Sequence, residues 1–202
     1  MGRKSIKESQ QKRITQAFYD IAKREGIENI SFGKIAKELD MNQSLVVHYF
    51  ANKEEMLFGL IDFIISSYQN IYKSDNEHED PLMKLTAVLN NIFSRKWDSY
   101  VDDSIFYNCF ALTFRNERIQ THFRELHELL RKWLQNLIQI CMDQSLVVCN
   151  DAAEAADIIF VISDGAYYYL SMIKDQNQYD IHLQRYKKIA FGVLQLQPEV
   201  IA

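Results

Sequence analysis

Residues 30–57 read Ile30-Ser31-Phe32-Gly33-Lys34-Ile35-Ala36-Lys37-Glu38-Leu39-Asp40-Met41-Asn42-Gln43-Ser44-Leu45-Val46-Val47-His48-Tyr49-Phe50-Ala51-Asn52-Lys53-Glu54-Glu55-Met56-Leu57. Ser31 stands as an N-cap before Phe32, Ile35, Ala36 and Leu39, which share one face of a short helix. After Asp40-Met41-Asn42 a second short helix runs from Gln43 to Tyr49, with Val46 and Phe50 as its buried side. Two short helices separated by three residues have the form of a helix-turn-helix, whose second member enters a major groove. The spacing alone also fits an αα-hairpin inside a core. The residues left facing outward favour DNA: Leu45 and Val47 beside Gln43, Ser44, His48 and Tyr49 make a poor solvent face. Leu or Val can cover a thymine methyl, and Gln can pair bidentately with adenine.

Upstream, Ile14, Ala17, Phe18, Ile21 and Ala22 recur at helical spacing and are closed by Gly26 as a C′ residue. Downstream, Asn52 caps a long helix from Lys53 to about Tyr72. The polar run 73–81, ended by Pro81, reads as a linker. Beyond it the pattern predicts helices at about 82–97, 103–114, 118–144, 151–174 and 180–195. Proline occurs only at Pro81 and Pro198, and no alternating strand pattern of any length is present. The expected architecture is all-α. An N-terminal three-helix DNA-binding domain (1–53) precedes a helical bundle (54–202) for ligand binding and dimerisation.

The 202 residues carry a net charge of −4, and the charge is split. Residues 1–53 hold ten Lys/Arg against six acids, hence +4, while 54–202 hold 13 against 21, hence −8. A basic segment on an acidic body suits a chain whose one end meets a polyanion. Cys109, Cys141 and Cys149 show no C-x-x-C spacing, which implies reduced thiols in the cytoplasm and no zinc. The closest glycines, Gly26 and Gly33, exclude G-x-G-x-x-G and P-loop motifs. No apolar run approaches the ~18 residues of a membrane span, and no signal peptide is expected at the N-terminus. H-E-x-x-H, paired E-x-x-H and G-x-S-x-G are absent, so neither metal, cofactor nor catalytic centre is expected.

Residues 30–57 resemble the DNA-binding motif of the TetR family of bacterial transcriptional regulators. The likeness is carried by the Ser31 cap, the Ile35-Ala36 pair, Val46 through Phe50, and Phe50-x-x-Lys53-Glu54-x-x-Leu57. Asp40 replaces the glycine common in the turn, and Val47 stands where a tyrosine is common. By the resemblance, Gln43, Ser44 and Leu45 would face base edges, and His48, Tyr49, Lys53 and Ser31 would hold phosphates. Arg3 and Lys4 would form a short arm that follows the DNA backbone or enters a minor groove.

The same resemblance implies a homodimer built on the last two helices and an inducer pocket in the body. Segment 151–174 is apolar on more than one side, so something beyond its own core must cover it. Ile158, Val161, Gly165, Tyr169, Tyr186 and Val193 are the expected interface. Trp97, Tyr107, Phe110, Phe114, His122 and Tyr167 combine aromatic surface with a few polar groups, as a ligand cavity does. The order Trp97, Phe114-Arg115-Asn116-Glu117, Trp133, Asp164-Gly165 is similar to the BetI-type ligand domain within the family. The implied protein is a ligand-responsive repressor that binds double-stranded operator DNA and a small apolar or aromatic effector, without a membrane. The alternative from another class is a helical-bundle enzyme or small-molecule carrier.

Overall fold

The computed structural model describes residues 3–69, 80–95 and 101–196, and every regular element among them is helical. These are α1 (Arg3–Glu25), α2 (Phe32–Glu38), α3 (Gln43–Tyr49), α4 (Lys53–Gln69), α5 (Pro81–Ile92), α6 (Asp103–Ala111), α7 (Glu117–Asp143), α8 (Ala152–Leu170) and α9 (Gln176–Val193). Short 3₁₀ turns at Ile27–Asn29 and Leu112–Phe114 complete the list. The linker expected at 73–81 lies almost wholly outside the described residues.

The chain divides into two compact units, residues 1–67 with 100–124, and 68–99 with 125–202. The unit that holds the helix-turn-helix thus takes in α4 and segment 101–124, so the division by packing does not fall at 53/54. Its core gathers the expected α1 stripe, Ile14, Ala17, Phe18, Ile21 and Ala22, with Ile35, Ala36, Val46, Phe50, Met56 and Leu60, all buried. The second unit is built on Leu85, Val88, Leu89 and Ile92 of α5, Leu130, Leu134 and Ile138 of α7, and the inner faces of α8 and α9.

Helix starts follow side-chain caps, and two expected boundaries move for that reason. Asp80 accepts from the backbone N–H of Leu82 and Met83 and sets Pro81 in the first turn, so α5 begins at Pro81. Its other end is at Ile92, short of the expected 97. Asp175 accepts from Gln178 N, so α9 starts at Gln176, four residues before the apolar period suggests. The arm expected at Arg3-Lys4 is the first turn of α1 instead. A run rich in Arg, Lys, Glu and Gln has high intrinsic helicity, and α1 extends through it.

Gly59, mid-helix in α4, sits where two neighbouring side chains leave no room for a Cβ. A Cβ there would lie 2.9 Å from Phe50 Cε1 and 3.1 Å from Thr15 Oγ1. Gly59→Ala is therefore expected to destabilise the protein by about 1–3 kcal/mol, although alanine is the better helix former. Denaturant unfolding of the two proteins measures this, and a stabilised variant would show that Phe50 yields without cost.

Cys109 and Cys141 are buried, and burial pushes their thiols up to about 12 and about 11. Cys149 is half-buried and also raised, by burial and then by Asp151. At pH 8 a maleimide should modify Cys149 first, with Cys109 and Cys141 protected until unfolding, because the thiolate is the reacting form. Mass spectrometry with and without guanidinium reads the order, and early labelling of Cys109 would contradict its burial.

Candidate nucleic-acid interface

α2 begins where Ser31 Oγ accepts from Lys34 N at 3.3 Å. It ends at Leu39, and the chain turns through Asp40 in the left-handed region, φ 50°. Asp tolerates that region better than most non-glycine residues, so the turn closes without its usual glycine. Met41 N then bonds Ala36 O, and Leu45 N bonds Asn42 O, which starts α3. Val46 is fully buried against α1 and α2, and it fixes which face of α3 points out.

That outward face carries Gln43, Ser44, Leu45, Val47 and His48, all exposed, with Leu45 and Val47 each at 41%. Tyr49 is half-buried; its ring meets that of His48 edge-on at 5.3 Å, and its carbonyl accepts from Gln11 Nε2. Leu45 and Val47 thus stand in water beside three polar side chains.

Ser31, Gln43 and Lys53, far apart in sequence, come together. They line one cleft of about 260 Å³ with Ile30, Phe32, Gly33 and Met56. The Gln43 side chain passes close to Gly33: a Cβ there would sit 3.4 Å from Gln43 Oε1. Lys53 opens α4, and its Nζ donates to Glu28 O at 3.2 Å, which holds the ammonium beside the cleft. Asn52 Oδ1 caps the same helix through Glu55 N. An anion at this place would meet an ammonium, a hydroxyl, and the positive end of α4.

Not all of the N-terminal positive charge is available to a polyanion. Arg24 forms a two-point pair with Glu38, at 2.9 and 3.2 Å, and Lys34 meets Glu25 at 2.5 Å. Lys34 holds the Glu25 carboxyl below the ordinary carboxylate range, by its hydrogen bond first and its charge second. Lys23 lies 3.6 Å from Asp102. Lys7, Lys12, Lys37 and Lys53 form no ion pair among the described residues. Composition counted all ten cations alike; the folded chain sorts them into clamps and free charges.

On its opposite side α4 is fastened to the segment that begins α7. Asn116 Nδ2 donates to Glu54 Oε1 at 2.9 Å, Arg118 lies over the Phe58 ring at 4.5 Å, and His122 Nε2 stands 2.6 Å from Asp62 Oδ1. Sequence reading missed this ladder, because only the fold reveals that 116–122 runs beside 54–62.

The expected ligand residues are dispersed. Tyr107 and Phe110 sit in an aromatic cluster with Phe106 and Phe123, where Phe106 and Phe110 stack at 6.5 Å. Phe114 packs edge-on against Phe110 yet is 77% exposed. His122 is half-buried and paired with Asp62. Tyr167 belongs to the other unit, and its hydroxyl lies 2.5 Å from Ile92 O and 3.0 Å from Ser94 O, which fixes it to the end of α5. Trp97 lies outside the described residues.

Of the expected interface, Ile158, Val161 and Tyr169 are exposed, at 41%, 57% and 43%. Nothing lies within 4 Å of a Cβ built on Gly165. Tyr186 and Val193 are half-buried. On α9, Ala190 and Leu194 are buried and Ile189 is exposed. No described helix is long and apolar enough to cross a membrane. No three His, Cys, Asp or Glu side chains among the described residues stand close enough to share a metal ion.

Residues 14–60 match the family model described as bacterial regulatory proteins, tetR family, and residues 80–196 match the tetracyclin repressor-like C-terminal domain. The chain belongs to the TetR family. Curated relatives include the nucleoid occlusion factor SlmA of Vibrio cholerae, 25% identical over 140 residues that cover 68% of this chain and 70% of that protein. A TetR transcription regulator from Haloarcula marismortui shares the fold with TM-score 0.78 at 21% identity, covering 93% of this chain and 97% of its own. A transcriptional regulator from Saccharomonospora viridis, solved in complex with choline, matches with TM-score 0.72 at 16% identity, over 89% and 94% of the two chains. This TetR-family chain is therefore a DNA-binding transcriptional regulator, and its structural neighbours are transcription regulators as well.

Proposed function

We propose that the protein is a homodimeric repressor whose hold on operator DNA is released by a small apolar or aromatic effector in the cytoplasm. The observation that carries the DNA contact is the exposed face of α3, seated beside the cleft of Ser31, Gln43 and Lys53. In this reading Gln43, Ser44 and Leu45 read base edges, while Ser31, His48, Tyr49 and Lys53 bind phosphates. Two such helices must lie ~34–36 Å apart to enter successive major grooves, which requires the dimer. The exposed apolar residues Ile158, Val161 and Tyr169, with Gly165, supply its interface.

Release would act through α4. The helix has 17 residues, about 25 Å, with Lys53 at its DNA end. The ladder from Asn116 to His122 ties it to the aromatic cluster of Tyr107 and Phe110, where an effector would lodge. A shift of that ladder would swing Lys53 and α3 out of register with the grooves. Linkage then demands reciprocity: operator DNA weakens effector binding by the factor with which effector weakens DNA binding. Calorimetric titration of a candidate effector with and without operator tests this, and identical affinities would separate the effector site from DNA control.

The division of labour within the DNA face has its own test. Lys53→Ala should weaken binding evenly across sequences and reduce the salt slope by about one, whereas Gln43→Ala should change which bases are preferred by about 1–3 kcal/mol. Anisotropy titrations at several salt concentrations distinguish the two. An unchanged slope and affinity for Lys53→Ala would remove that residue from the site.

A further inference from the structure

The two helices of the helix-turn-helix are short, seven residues each. A helix of two turns does not hold itself in water, so its pose depends on what fastens its ends. α2 has a side-chain cap at its start, Ser31, but α3 has none, for Asn42 makes no side-chain bond to the turn that follows it. From inside, α3 is fixed by Val46, which is fully buried. One buried residue sets which face points out; it does not set the tilt of the far end.

That far end is met by α1. Gln11 is half-buried, and its Nε2 donates to Tyr49 O, the carbonyl of the last residue of α3, at 3.3 Å. A carbonyl only accepts, so the amide must present its nitrogen there. Two residues on, Arg13 Nη2 donates to Leu39 O, the C-cap carbonyl of α2, also at 3.3 Å. A guanidinium suits the negative end of a helix. In this way α1 brackets both helices at their C-terminal ends, just before its own buried stripe begins at Ile14. The Arg13 contact is exposed, whereas the Gln11 contact is partly withdrawn from water, so the bond from Gln11 is the firmer.

We propose that Gln11 is a positioning residue for DNA recognition: its bond to Tyr49 O holds α3 at the tilt from which base edges and phosphates are reached together. This rests on the reading of α3 as the DNA-contacting helix and adds what sets its pose. Gln11 acts through Tyr49, not by touching DNA. Without the donor, the end of α3 that carries His48 and Tyr49 samples several tilts. Only the fraction of molecules in the competent tilt binds the full site, and apparent affinity falls by that fraction. Binding to arbitrary DNA is different, because it draws mainly on charge and tolerates a range of tilts. The loss therefore falls on discrimination rather than on overall attraction.

Gln11→Met keeps the length and helical preference of the side chain and removes the donor, while Gln11→Lys restores a donor at about the same reach. The readout is a ratio of affinities, measured by anisotropy in one buffer. It compares a duplex selected by the parent chain from a random library with a duplex of random sequence. The ratio should fall about tenfold in Gln11→Met, with random-duplex affinity within about twofold of the parent's, and return to within about threefold in Gln11→Lys. A loss of fold alone lowers the active fraction for both duplexes equally and leaves the ratio where it was. If Gln11→Met does not fold, Gln11→Glu, which sets an acceptor against the same carbonyl, replaces it with the same expected fall. An unchanged ratio overturns the role of Gln11. An equal fall in Gln11→Lys overturns it too, since shape and not the donor would then be responsible. A parent chain that prefers no sequence would instead refute the reading of α3 itself.

Discussion

Val161→Glu is expected to convert the dimer to monomers and to remove sequence-specific DNA binding, without loss of the fold. Val161 is 57% exposed in the middle of α8, so the single chain tolerates a carboxylate there. In the dimer that carboxylate would leave water without a partner, at a cost of several kcal/mol per protomer. Symmetry places it in the interface twice. Operator affinity should fall at least about a thousandfold, because a single half-site retains mainly the salt-sensitive phosphate contacts. Light scattering and anisotropy on one preparation measure both effects, with circular dichroism to confirm that helicity is kept. A dimer that binds DNA normally would place the interface elsewhere.

Phe50→Ala should disable DNA binding by a different route, from inside the domain. Phe50 ends α3, is 6% exposed, and lies against Gly59 of α4. Removing a buried aromatic side chain costs about 3–5 kcal/mol. The void would open at the joint that sets the angle between the recognition helix and α4. Unfolding should shift strongly while the dimer, built on the other unit, persists. Loss of DNA binding with an intact dimer is the expected pair of results. Unaltered stability would mean that the glycine contact carries no load.

How much of this was legible in the sequence depends on what kind of interaction decides each element. The helix-turn-helix could be read because its signals are local: Ser31 caps α2, Asp40 takes the left-handed turn, and Val46 alternates with exposed neighbours. All three are met in the fold. The two-sided character of segment 151–174 was also visible, since Ala156, Ile159, Phe160 and Tyr167 are buried while Ile158, Val161 and Tyr169 are not. Boundaries were misjudged where a cap lies outside the apolar period, as at Asp80 and Asp175. The α4 ladder was invisible, because His122 and Asp62 are brought together only by tertiary packing. So was the role of Gly59, whose meaning depends on a ring nine residues away. The aromatic residues assigned to a ligand share composition with a cavity, yet Tyr167 is spent on backbone carbonyls and Phe114 faces solvent.

In the proposed mode of action a dimer of this chain reads DNA through α3. Selection from a random duplex library by the purified full chain, at near-physiological salt, tests it most directly. A palindromic consensus is expected, with half-sites about one helical turn, or a multiple of it, apart. The enriched bases should also change with Gln43→Ala. Retention of DNA without any enriched sequence, or a consensus without two-fold symmetry, would contradict it.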